Sequence, residues 1–93
     1  MSKIAILIND RQAEAIRMGS GITLLDDEVE LFFIDAALET NDEVNMMMEI
    51  ATEMELPVFS NVRNNTQENS QITLLSSQDI NNKLLDYDHI IAY

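Results

Sequence analysis

A chain of 93 residues has room for one domain with a modest core, and 46% apolar residues with only 2 Gly and 1 Pro describe a globular protein, not a disordered one. Its 17 acidic residues against 5 basic ones give a formal net charge of -12, which excludes the basic footprint of nucleic-acid or anionic-membrane binding. The absence of cysteine excludes disulfides, thiolate nucleophiles, persulfide carriage and cysteine metal sites.

The first element is Ile4 to Ile8, apolar at every position, as a strand covered on both faces of a parallel sheet must be. This run is too short for a secretion signal, and no other apolar run reaches membrane-spanning length, so a cytoplasmic protein is expected. From Arg11 to about Leu25, Ala15, Met18, Ile22 and Leu25 recur at helical spacing, with Asp10 placed to cap the first turn. Gly19 and Gly21 each lower helix propensity by about 1 kcal/mol relative to alanine, but a missing side chain lets a helix approach a sheet closely.

Val29 to Ile34 reads as a second strand whose one charge, Glu30, is expected at an edge or against a partner. The spacing of Thr40-Asn41-Asp42-Glu43 is that of a capping box, so a helix is predicted to open there and run to about Glu55, before Pro57. Val44, Met47, Met48, Ala51 and Met54 form its core stripe. Met46 and Ile50 lie outside that stripe, one turn apart, and are expected to face another subunit.

Val58-Phe59 is a short third strand, and Ser60 to Gln71, polar and rich in Asn without periodicity, reads as an exposed loop. Ile72 to Leu75 makes a fourth strand. Ser76 or Ser77 can cap a third helix carrying Ile80, Leu84 and Tyr87 on one side, and His89 to Tyr93 closes as a strand. Alternating strands and helices predict an α/β protein: one three-layer domain spanning residues 1–93, with a mainly parallel sheet of four to five strands flanked by helices.

Few residues point to chemistry. His89 stands beside Asp88 with no nucleophile near it in sequence, and Asp26-Asp27-Glu28 lacks the spaced ligands and glycine of a calcium loop. Asn9-Asp10-Arg11-Gln12 follows the first strand where a phosphate loop needs glycines or hydroxyls. A two-component receiver would need an aspartate where Phe59-Ser60 stands. No metal and no cofactor are therefore expected. Acid-base work by Asp10, Asp35 or His89 is permitted by the sequence without being indicated by it. The acidic stretch is ambiguous: eleven of the acids lie between Asp26 and Glu55, and no Lys or Arg occurs between Arg17 and Arg63. A solvated surface is its ordinary reading, and a docking face for a basic partner is the sharper one.

The stretch Ala13-Glu14-Ala15-Ile16-Arg17-Met18 through Asp27-Glu28-Val29-Glu30-Leu31-Phe32-Phe33-Ile34-Asp35-Ala36-Ala37 resembles the start of the DsrE/DsrF/DsrH-like family. Ile72-Thr73-Leu74-Leu75, a short helix and Tyr87-Asp88-His89-Ile90-Ile91-Ala92-Tyr93 resemble its close. Sulfur-carrying members of that family place a reactive cysteine after a central strand, near Val58-Phe59-Ser60-Asn61-Val62-Arg63 here, so that Ser60 or Asn61 holds roughly that place.

The short length and missing cysteine look more like the DsrH or TusB type. The resemblance implies a non-catalytic accessory subunit of a sulfur-relay-like assembly, partnered by DsrE-like relatives, or a homo-oligomer. The rival expectation is a small-ligand or anion-sensing domain, in which Ser60, Asn61, Arg63, Asn64 and Asn65 line a polar pocket at the strand ends.

Overall fold

The structure, a computed structural model, describes residues 2–23 and 27–92. In chain order the elements are β1 (Lys3–Ile8), α1 (Gln12–Thr23), β2 (Glu28–Phe33), α2 (Asp42–Glu53), β3 (Val58–Ser60), α3 (Arg63–Glu68), β4 (Ile72–Leu74), α4 (Ser77–Leu84) and β5 (His89–Ala92). The five strands form one sheet in the order β4-β3-β2-β1-β5, with every neighbouring pair parallel. Ile6 of the central β1 stands opposite Leu31 on one side and Ile91 on the other. The chain thus winds outward from β1 to β4, then crosses back to lay β5 on the far side of β1.

That reversal divides the helices between two faces and makes three layers. The uninterrupted apolar run of β1 has this cause: Ile4, Ile6 and Ile8 enter the core under α1 and α2, while Ala5 and Leu7 face α4. On the first face Val29, Leu31 and Phe33 of β2 meet Ile16 of α1 and Val44, Met47, Met48 and Ala51 of α2. On the second, Phe32 stacks on Phe59 with centroids 5.1 Å apart, beneath Ile80 of α4.

Gly19 is where α1 comes closest to the sheet. A Cβ there would lie 3.0 Å from both Ile6 Cδ1 and Leu31 Cδ2, whereas one on Gly21 would meet nothing within 4 Å. Only the first glycine is required by packing.

Several sequence expectations change in detail. The first helix ends, within the described residues, at Thr23; Leu24 and Leu25, like Asp26 of the acidic turn and Tyr93 of the last strand, lie outside them. The N-cap of α2 is Asn41 and not Thr40, because Asn41 Oδ1 accepts from the Val44 N–H at 2.8 Å. Ser76 caps α4 by accepting from the Asp79 N–H at 3.1 Å. The predicted loop 60–71 contains α3, which shows no apolar period because the side chain it buries is Asn65.

Glu30 is at neither an edge nor a free surface. It lies on an inner strand under α4, where it accepts from the Tyr87 hydroxyl and pairs with Lys83 Nζ at 3.4 Å and Lys3 Nζ at 4.0 Å. The two ammonium groups also lie over rings, Lys3 over Tyr87 at 4.8 Å and Lys83 over Phe59 at 4.9 Å. Burial, together with the Glu30 carboxylate, raises the Tyr87 pKa well above that of an ordinary phenol.

Candidate functional site

In parallel α/β sheets, ligands and chemistry collect at the carboxyl ends of the strands, where the loops leave the sheet. Here those ends are tied together by polar side chains. Ser60, the last residue of β3, is fully buried, and its hydroxyl donates to the Phe33 carbonyl at 2.8 Å. Ser60 Oγ also accepts from the Val62 N–H and from Asn65 Nδ2, each at 3.0 Å. A hydroxyl has one proton and two lone pairs, so all its hydrogen-bonding capacity is used. The proton rests on a backbone carbonyl, not on a base that would free the oxygen to attack.

Asn65, 1% exposed, reaches from α3 into the segment after β2. Its Nδ2 donates to the Ala36 carbonyl at 2.9 Å, and its Oδ1 accepts from the Leu38 N–H at 2.7 Å. Gln12, 2% exposed at the start of α1, holds the same segment from the other side. It donates to the Ala37 carbonyl at 2.9 Å and accepts from the Glu39 N–H at 2.8 Å. Asn61 makes a third tie: its Oδ1 accepts from the Asp35 N–H at 2.8 Å, while its Nδ2 donates to Asp35 Oδ1 at 2.8 Å and Ser77 Oγ at 2.9 Å. These bonds hold Asp35 in the left-handed region at φ 54, which few non-glycine residues adopt.

Of the five ligand candidates, the structure therefore bonds Ser60 to Asn65, ties Asn61 separately to Asp35 and Ser77, and leaves Arg63 and Asn64 exposed on α3. Both Ser60 and Asn65 spend their polar atoms on the chain itself. Sequence reasoning missed Gln12, and it named Asp35 only for acid-base work and Ser77 only as a helix cap. For Gln12 a signal existed: it precedes Ile16 by four residues and Gly19 by seven, so helical spacing puts it on the buried face.

A cleft of about 320 Å³ opens at the carboxyl ends of β1 and β2, lined by Leu7, Ile8, Asn9, Ile34, Asp35 and Ala92. A larger one of about 540 Å³ lies between α2 and α3, with Met48, Glu49, Thr52, Glu53, Glu68 and Asn69 in its walls. The interface candidates Met46 and Ile50 are 52% and 36% exposed. Among the described residues no group of three or more His, Cys, Asp or Glu is placed to hold a metal ion, and no helix is long and apolar enough to cross a membrane.

These features define a doubly wound α/β domain in which the end of β3 is closed by its own side chains, while a cleft stays open where β5 joins β1. No family model and no curated protein sequence matches the chain. In structure it is similar to the ychN protein of E. coli, with a TM-score of 0.75 and 14% identity, each chain being covered in full. At this identity the likeness is one of architecture.

Proposed function

We propose that this chain is a non-catalytic subunit that assembles with other protein chains, in the manner of an accessory subunit of a sulfur-relay-like complex. The observation that carries this reading is Ser60. In the family that the sequence resembles, sulfur carriers place a cysteine near this point, whereas here a fully buried hydroxyl binds Phe33, Val62 and Asn65. A residue so enclosed serves to join β3, α3 and the end of β2, and it offers no atom to an incoming substrate.

The exposed apolar side chains support assembly. Met46 and Ile50 on α2, Leu85 after α4 and Ile90 on the edge strand β5 are all open to solvent in the single chain. For a 93-residue domain with one parallel sheet, neighbours would add the burial that a small core lacks.

The experiment mixes the purified chain with a persulfide-loaded, cysteine-bearing DsrE-like subunit and follows both by size-exclusion chromatography and intact mass. The chain is expected to run in a species heavier than one copy and to gain no sulfur. A lone monomer in the mixture, or a sulfur adduct on this chain, overturns the reading.

A further inference from the structure

Helix α2 shows two properties that its own fold does not explain. Its outward face carries two large apolar side chains, Met46 and Ile50, at 52% and 36% exposure. Around them, at the three- and four-residue spacings that make helix neighbours, stand Asp42, Glu43, Glu49 and Glu53, all exposed. Only Glu43 has an ion-pair partner among the described residues, Arg17 at 3.5 Å.

The placement of these charges along the helix is informative. Asp42 and Glu43 occupy the first turn, where negative charge is favourable against the helix dipole. Glu49 and Glu53 lie in the second half, Glu53 at the carboxyl end where negative charge is unfavourable, and the last turn contains no basic residue to offset it. Glu49 and Glu53 also line the cleft between α2 and α3, where Glu68 faces them. The surface therefore runs from an apolar pair, across two unpaired carboxylates, into an acidic cleft with Met48 in its wall.

We propose that this face docks a basic amphipathic segment of a different protein. Apolar side chains of the segment cover Met46 and Ile50, and its Lys or Arg side chains reach Glu49, Glu53 and the cleft. Charge complementarity selects this occupant. A second copy of the chain would set Asp42, Glu49 and Glu53 against carboxylates of the same kind, with Arg17, already paired to Glu43, the one cation ion-paired to this face among the described residues, and nucleic acid or an anionic membrane would be repelled. The inference rests on the assembly reading and adds the chemistry of the partner.

The test uses two designed helical peptides with the same leucine face, one flanked by lysines and one by glutamates, in fluorescence anisotropy with the full chain. The lysine peptide is expected to bind, and to lose at least about tenfold in affinity between about 0.1 M and about 1 M salt, as the Debye length shrinks from about 10 Å to about 3 Å. Glu49→Gln with Glu53→Gln should weaken binding at least about tenfold without changing the far-ultraviolet circular dichroism, since neither carboxylate has an ion-pair partner among the described residues. Met46→Ala with Ile50→Ala should weaken it similarly. A charge-matched pair elsewhere, Glu14→Gln with Glu28→Gln, should leave it within about twofold.

Equal binding of the glutamate peptide, binding of neither peptide, or equal weakening by the charge-matched pair would each overturn the inference. A homo-oligomer that Met46→Glu dissociates would also overturn it, yet would leave the assembly reading standing. That reading fails separately, on a chain that stays monomeric beside its DsrE-like subunit.

Discussion

Asn65 Nδ2 donates to Ser60 Oγ at 3.0 Å and to the Ala36 carbonyl at 2.9 Å, so one buried amide joins the end of β3 to the segment that leaves β2. Removing it strands a carbonyl and the Leu38 N–H, which Asn65 Oδ1 accepts. Asn65→Ala is predicted to lower stability by about 1 to 3 kcal/mol. Hydrogen exchange should locate the loss, with the Leu38 amide exchanging faster while amides in β1 follow only the global change. Unchanged protection at Leu38 would count against the network.

The two glycines of α1 should respond in opposite senses. Gly21 faces open space, so Gly21→Ala is predicted to raise stability by up to about 1 kcal/mol through helix propensity. At Gly19 a larger side chain would drive into Ile6 and Leu31, and Gly19→Leu should lower stability by about 1 to 3 kcal/mol. Urea midpoints of the two variants measure both effects.

Tyr87 gives the fold an alkaline limit. Its pKa is raised in the folded state by burial and by the Glu30 carboxylate. Above a pH of about 10, the ordinary phenol value, an unfolded tyrosine loses its proton while the folded one keeps it. The unfolded state then binds fewer protons, so stability falls as pH rises. Below that pH the contribution is complete. Thermal melts between about pH 9 and 11 should show a steeper decline for the native chain than for Tyr87→Phe, and parallel slopes would refute this.

How much of this was legible in the sequence depends on what each element buries. The all-apolar Ile4 to Ile8 and the stripe Val44, Met47, Met48 and Ala51 announce a covered strand and a core-facing helix, because burial there is hydrophobic. Helix α3 was hidden because it is fastened through Asn65 by hydrogen bonds, and a polar stretch without a period reads as loop. The closure of Ser60 was equally hidden: two of its partners are Phe33 O and Asn65 Nδ2, and no local pattern brings residues 33, 60 and 65 together. Glu30 was misplaced for a related reason, since its counter-charges Lys3 and Lys83 come from distant parts of the chain. Exposure of Met46 and Ile50, by contrast, follows from helical spacing alone.

Ser60 closes the end of β3, and the reactivity of a thiol put in its place tests most directly the proposal that this joint is structural. Ser60→Cys should react with an aromatic disulfide reagent in native buffer about a thousandfold or more slowly than in denaturant, because the sulfur would be reached only when the structure opens. A native rate close to that of the denatured chain would show an open, accessible position and would contradict the account.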